Sequence, residues 1–503
     1  MSACRRIIRL TCSLVLLAAL LATPGAAFAP PAVHAERPPA SPLAPPNVEI
    51  DVPIDGVDLS AAGASPAAVS DDFHRWFPIT NNNTGDVEVV VDSQGRLHGV
   101  ISAKTSVEVA ENTYWYPAYY GFCAANCQVP GNWTWTIVGN TGFLGGSARV
   151  AVNRQGRPRI MWVYQGTFDD PAIYAYAECD AGCTNAANWN AYAAVGANDF
   201  AGFGDGDVAG DYFALDPNGN PRFIYRETDS WTGERGTWYA FCDGDCLDGN
   251  WFKTQVSPEV MSQPSLEIDS TGEPHIALYA GNAVWYMQTT EFNGGRLWGL
   301  GTGNAFSLAL DSQDRPRLAM YTGFYESDDP DNELLALSTC DADCNLTENW
   351  DLRWLGTERD WGYDVALALD SADRPHLAFS VEDITNSVYG LVYARCTGGC
   401  DSEDSQWVFD KVDDGDAVEA ENPVPPVGSC TPVWLHVGGR PSLAVDAGGR
   451  PYIGYDAVHY QGFPCPRIEE DVRLGRIAVG SAGAGGDPSD GNARVLLPLV
   501  RKR

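Results

Sequence analysis

Seven times along the chain a short apolar run stops at an acidic or amide residue, crosses a polar turn and resumes as a second apolar run. The copies read VDSQGRLHGVIS from Val91, VNRQGRPRIMW from Val152, LDPNGNPRFIY from Leu215 and IDSTGEPHIALY from Ile268. Three more are LDSQDRPRLAMY from Leu310, LDSADRPHLAF from Leu369 and VDAGGRPYIGY from Val445. Runs this short, nearly unbroken in their apolar character, predict strands covered on both faces. The turn chemistry supports hairpins. Asp92, Asp216, Asp269, Asp311, Asp370 and Asp446 offer a carboxylate to cap the turn, and Asn153 offers an amide in the second copy. Gly three residues later supplies positive φ in five copies, and Asp314 and Asp373 stand there in the other two. Pro after the turn suits only the first position of a strand.

Two further strands follow each hairpin. One carries Tyr or Trp, as in YYGFC, IYAYAEC, TWYAFC and LVYARC, and the next opens on Trp133, Trp189, Trp251, Trp298, Trp350 or Trp407. The turn residues are 61, 63, 53, 42, 59 and 76 residues apart. Four short strands repeated seven times predict an all-β chain, a seven-bladed β-propeller of four-stranded blades. Only six repeats own a Trp strand. The seventh is expected to borrow FHRWFPIT, residues 73–80, so that an N-terminal strand closes the ring and covers its free edge. Two residues before the turn the chain places Val90, Ala151, Ala214, Ala309, Ala368 and Ala444. Glu267 is the one charge in that column and is expected to face the central channel.

Outside the repeats the chain reads as processing and linker sequence. Arg5, Arg6 and Arg9 precede the apolar run LVLLAALLA, too short to span a bilayer, and VHA offers a small-residue cleavage site before Glu36. Residues 1–35 are therefore expected to be a signal peptide and 36–72 a Pro/Ala-rich linker, ahead of the propeller at 73–480. Residues 481–492 form a Gly/Ser/Asp linker. The last eleven residues, 493–503, resemble the apolar–Pro–apolar–basic endings of some exported bacterial proteins, which implies sorting or surface attachment. A secreted or cell-surface chain without a transmembrane segment is expected.

Of 14 cysteines, Cys4 and Cys12 lie in the signal segment. Ten of the rest form CxxxC pairs: Cys123 with Cys127, Cys179 with Cys183, Cys242 with Cys246, Cys340 with Cys344, and Cys396 with Cys400. Cys430 and Cys465 remain and are expected to pair. Export favours disulfides. Zinc needs about four converging ligands, and these pairs sit in separate repeats. The formal charge of −34 argues against nucleic acid as a partner.

The turns and the CxxxC segments both open on one face of a propeller, which is read as structural. The loops between second and third strands and between blades open on the other, and they vary in length. Trp231 and Arg235, with Arg359 and Trp361, would suit stacking on a sugar or gripping an extracellular protein. Two acidic runs lie there as well: Asp205, Asp207 and Asp211, then Asp328, Asp329 and Asp331. Oxygen ligands of this kind suit calcium.

The DxxGRPHIAY repeat with YxxCxxxC and Trp resembles repeats of exported bacterial seven-bladed β-propeller proteins, over residues 73 to 480. That resemblance implies the fold and names no activity. Sialidases use propellers with Asp-containing turns, but their box has one residue between Asp and Gly and ends in an aromatic. Here two residues intervene and no such aromatic follows, so no catalytic residues are carried over. HExxH, GxSxG and phosphate-binding loops are absent from the sequence. The reading is a monomeric, non-catalytic binding module for a glycan or protein ligand. The alternative is an extracellular carbohydrate-active enzyme, sialidase-like or another glycoside hydrolase or lyase, using acids of the variable face.

The mature chain is expected to hold six disulfides. Alkylation of the denatured, unreduced protein should label no cysteine; labelling of several would remove the staples from the fold.

Overall fold

The computed structural model describes residues 72–78, 84–103, 108–110, 113–114, 117–140, 148–164, 173–196, 211–228, 235–259, 262–280, 283–288, 305–322, 334–355, 364–383, 388–402, 405–422, 433–460 and 472–481. Their main strands form seven antiparallel sheets arranged as a ring, a seven-bladed β-propeller. Blade 1 runs Thr84–Val91, Leu97–Ala103, Pro117–Cys123 and Thr134–Asn140, and blades 2, 3, 5 and 6 repeat the pattern. Blade 4 shows three strands among the described residues, and its expected Trp298 strand lies outside them. Its second and third strands, Pro274–Ala280 and Ala283–Met287, are joined by a two-residue link, which fits the short repeat.

The first strand of each blade meets the first strands of its neighbours around the centre of the ring. The apolar core is accordingly divided into seven clusters, one at each blade-to-blade interface. Tyr174, Tyr176, Phe223, Tyr225 and Trp251 fill the one between blades 2 and 3. Polar latches tie the first strands together. The Ser265 hydroxyl accepts from Leu308 N at 3.0 Å, Ser307 from Leu367 N at 3.1 Å, and Ser442 from Val89 N at 3.1 Å. Glu88 accepts from Val150 N in the same way. The inner edge of a first strand has no partner strand, so these side chains satisfy donors that would otherwise be buried and unpaired.

The ring closes as the repeat count required. Phe73–Trp76 pairs antiparallel with Val472–Gly480 as the outer strand of blade 7, with Phe73 opposite Gly480 and Trp76 opposite Ile477. Trp76 packs with Ile477, Val479 and Tyr452 against Val87, Leu97 and Trp133 of blade 1. Phe73 enters the cluster between blades 6 and 7. Arg75 donates from Nη1 to Val412 O at 2.6 Å. Beside it Arg476 lies fully buried, 2.9 Å from Asp413 and 2.8 Å from Glu421.

Five of the six expected disulfides are in place. Cys123 is bonded to Cys127 in blade 1, Cys179 to Cys183 in blade 2 and Cys242 to Cys246 in blade 3. Cys340 is bonded to Cys344 in blade 5 and Cys396 to Cys400 in blade 6. The sixth expected pair, Cys430 and Cys465, lies outside the described residues. In blades 1, 2, 3 and 5 the Trp opening the fourth strand donates its indole N–H to the carbonyl of the second cysteine (Cys127, Cys183, Cys246 or Cys344) at 2.7–3.1 Å. Trp407 of blade 6 leaves Cys400 and uses Ser405 Oγ at 3.1 Å. The Cys400 carbonyl accepts instead from Arg353 of blade 5, at 3.1 Å. A buried indole keeps its one polar atom paired this way. A bridge closing so small a loop contributes about 2 kcal/mol in the chain-entropy picture.

Deleting residues 72–78 should bare the Val472–Gly480 edge and empty two core clusters. Loss of a buried Phe or Trp costs about 3–5 kcal/mol each, so a large fall in Tm with aggregation is expected. Deleting 37–70 should leave Tm unchanged, and equal melting of both truncations with the full chain would refute the closure.

Candidate functional site

The repeat turns are built alike. In all seven copies one oxygen of the turn residue accepts the backbone N–H groups two and four residues on, at 2.8–3.0 Å. The second carboxylate oxygen faces the side chain six residues on. Arg222 donates to Asp216 at 2.7 Å, Arg317 to Asp311 at 2.9 Å, and the Tyr452 hydroxyl to Asp446 at 2.9 Å. His98 and His376 present Nε2 at 3.4 Å, and His275 at 3.6 Å. Their Nδ1 atoms are hydrogen-bonded to the hydroxyls of Tyr120, Tyr393 and Tyr286 at 2.7, 2.5 and 2.6 Å. Burial lowers all three histidine pKa values, to about 4 at His376, so these rings are neutral at neutral pH. Burial alone would raise Asp370, but bonds from Arg374, Ala372 and His376 outweigh it and hold the carboxyl at about 2. His, Arg and Tyr thus do one structural job at one position.

Two turns break the glycine rule and gain a contact. Asp314 and Asp373 take φ of 61° and 58°. Asp314 accepts from Ser270 N and Oγ in the preceding blade at 3.0 and 2.5 Å; Asp373 accepts from Ser312 N and Oγ at 2.8 and 2.6 Å. Sequence reasoning found the φ requirement and missed the bridge between blades.

Blade 2 departs differently. In blades 1, 5 and 6 the Arg four residues after the turn acid is clamped by it: Arg96, Arg315 and Arg374 donate from Nε at 2.6–2.7 Å. Asn153 carries no charge, and Arg157 instead stands exposed, 3.5 Å from Asp180. Arg159 turns to Asp180 as well, at 2.9 Å. Beside this turn a cleft of about 580 Å³ opens between blades 2 and 3. Asn153, Gln155, Arg157, Arg159, Tyr176 and Glu178 form one wall; residues 218–221 and 244–248 form the other. It opens on the face carrying the turns and disulfides.

A second polar cluster lies at the ring's centre. The Asp211 carboxylate, from the start of blade 3, lies within the electrostatic reach of Ser307 of blade 5 and Arg149 of blade 2. Its backbone carbonyl accepts from Leu266 N of blade 4 at 2.8 Å. Glu267 lies close enough to feel its charge. Burial raises Asp211, against the opposing pull of Arg149 and Ser307. Burial, reinforced by Asp211, raises Glu267 to about 8.

Of the candidates from the sequence, Asp211 is in this cluster. Arg235 begins the third strand of blade 3, Arg235–Phe241. Trp231, Arg359, Trp361, Asp205, Asp207, Asp328, Asp329 and Asp331 lie outside the described residues. Among the described residues no group of three His, Cys, Asp or Glu is placed to hold a metal ion, and no helix is long and apolar enough to cross a membrane.

Glu267 yields a signed pH prediction. Its folded pKa is raised above the ordinary value of 4.5 to about 8. Its contribution is therefore favourable at low pH and lost as pH rises through that window. Glu267→Gln keeps the shape and removes the titration. Its Tm should match the parent's near about pH 5 and exceed it near about pH 9. An equal shift at both would show that Glu267 does not titrate in this range.

No protein-family model matches the chain, and no curated protein matches it. Solved structures share the fold at low identity. A Hadza microbial sialidase, Hz136, aligns with TM-score 0.36 and 12% identity over 59% of this chain and 63% of its own. Polysaccharide lyase Uly1 aligns with TM-score 0.40 and 10% identity over 86% and 94%. The NanB sialidase from Streptococcus pneumoniae aligns with TM-score 0.36 and 10% identity over 83% and 71%. At these values the likeness concerns the propeller alone.

Proposed function

We propose that the chain is an exported binding propeller, a monomer whose stapled ring presents variable loops to a glycan or an extracellular protein without performing chemistry on it. The observation that carries this reading is how fully the ring's recurring polar groups are engaged with the ring itself. Every repeat-turn carboxylate or amide holds its own turn. The histidines of the repeat are neutral and held by tyrosines. Asp211, on the channel, ties blade 3 to blade 4 through its backbone carbonyl. A scaffold so committed leaves recognition to segments whose length the repeat does not set. The five disulfides fit an oxidising compartment.

In this reading Trp231 and Trp361 supply flat apolar surface, with Arg235 and Arg359, near them in sequence, as donors to hydroxyl or carboxylate groups. Calcium would be held by Asp205 and Asp207, or by Asp328, Asp329 and Asp331, since hard cations take oxygen ligands. One observation favours a second reading. Asp211 and Glu267 are neighbouring carboxyls with raised pKa values, the kind of pair a glycoside hydrolase or lyase uses for acid–base work.

A glycan array run beside a hydrolase and lyase screen separates the two. The binding reading expects retention of a glycan or protein ligand with no turnover, and weakening by about tenfold or more in Trp231→Ala or Trp361→Ala at unchanged Tm. Turnover abolished by Glu267→Gln would replace it with the enzyme.

A further inference from the structure

We infer that the cleft between blades 2 and 3 is a second binding site, for a neutral saccharide, on the face opposite the variable loops. The argument begins with Asn153. Turn acids clamp the arginine four residues on in blades 1, 5 and 6, through Asp92, Asp311 and Asp370. In blade 7 the Nε of Arg450 stays unpaired among the described residues, and in blade 2 Asn153 has no charge with which to hold Arg157. The amide leaves that guanidinium at the cleft wall, 3.5 Å from the exposed Asp180 in place of a buried turn acid. Asn153 Oδ1 holds the turn, while its Nδ2 donates to none of the described residues. The opposite turn makes room for that amide. Gly219 sits at φ +86°, and a Cβ there would lie 3.3 Å from Asn153 Nδ2.

The cleft gathers polar side chains that the ring itself does not use. Gln155, Asn218, Asp245 and Asp248 line it, and none of their side chains bonds to another described residue. Amides, carboxylates and one guanidinium together offer both donors and acceptors, which a sugar's hydroxyls need, since each hydroxyl donates and accepts. Leu247, partly exposed, adds apolar surface for the C–H face of a pyranose ring. The volume of about 580 Å³ lies within the usual range for small-ligand sites. Charge selects among saccharides. Glu178, Asp245 and Asp248 oppose Arg157 and Arg159 within the lining, both arginines already face Asp180, and the chain carries −34. A polyanionic sugar would be repelled, whereas a neutral one loses nothing.

The test is ligand-observed NMR on the full mature chain. The probes are cellohexaose, xylohexaose, mannohexaose and chitohexaose, with heptagalacturonate as the anionic control. At least one neutral hexasaccharide should bind and heptagalacturonate should not. Binding should weaken about tenfold in Asn153→Asp, which draws Arg157 back to the turn, and in the double substitution Asn218→Ala with Asp248→Ala. The latter two side chains are exposed, so the double variant should stay folded even if Asn153→Asp does not. Absence of binding by all four neutral probes would overturn the inference, as would binding of the galacturonate alone or indifference to both cleft variants. A saccharide signal lost in Trp361→Ala but kept in the cleft variants would sink this site while leaving the loop-face reading intact.

Discussion

Each blade is a thin sheet with apolar side chains on both of its faces, and neither face can be left to water. A lone blade would expose its aromatic residues twice over, and even six of the seven blades would leave two faces bare. The stable arrangement is a closed ring, in which every face is covered by a neighbour and the core is shared among seven interfaces. Closure is thus the constraint that shapes the other features. It explains why the strand Phe73–Trp76, far from its partner in sequence, contributes to two clusters at once. It also explains why buried charge is tolerated at that seam: Arg75, Asp413, Arg476 and Glu421 neutralise one another where the ring's first and last strands meet.

Within the closed ring, the polar features follow from the same geometry. First strands crowd round the axis with one edge unpaired, so Glu88, Ser265, Ser307 and Ser442 reach to the next blade's backbone. Turns fall side by side on one face, so a residue placed at positive φ in one turn is within reach of its neighbour's turn. Asp314 and Asp373 exploit that proximity, exchanging the ease of glycine for a bond between blades. Asn153 is the reverse case. By lacking a charge it loosens its own turn's hold on Arg157 and leaves a polar opening.

Much of this was legible in the chain itself, and for a reason. Strand and turn chemistry is local: a Pro-initiated strand, an acid capping a turn and a glycine at positive φ each act within a few residues. The same holds for the staples, since Cys123 and Cys127, or Cys396 and Cys400, are four residues apart and need only one tight turn to meet. Repetition then multiplies a weak local signal seven times. The alternation of His and Arg six residues after the turn residue marks that position as structural, because Arg cannot act as a base at neutral pH. That Tyr452 joins them, and that Arg and Tyr donate to the turn acid, came from the structure. The missing seventh Trp strand pointed to closure, since an unpaired edge demands a partner.

The number of blades, the turn geometry, the five staples and the route of closure are therefore consequences of local rules repeated along the chain, and reading them needed no coordinates. Which polar groups meet across blades is set elsewhere, by the packing of the ring. Asp211 and Ser307 are 96 positions apart in the chain and belong to repeats that are not even adjacent, yet the ring brings Ser307 close enough to pull the Asp211 carboxyl down. Asn153 and Gly219 abut because two turns are stacked by the ring, and their cleft exists only at that junction. Such contacts depend on the curvature and angular spacing of whole blades. No repeat carries that information, because it arises from packing seven of them at once.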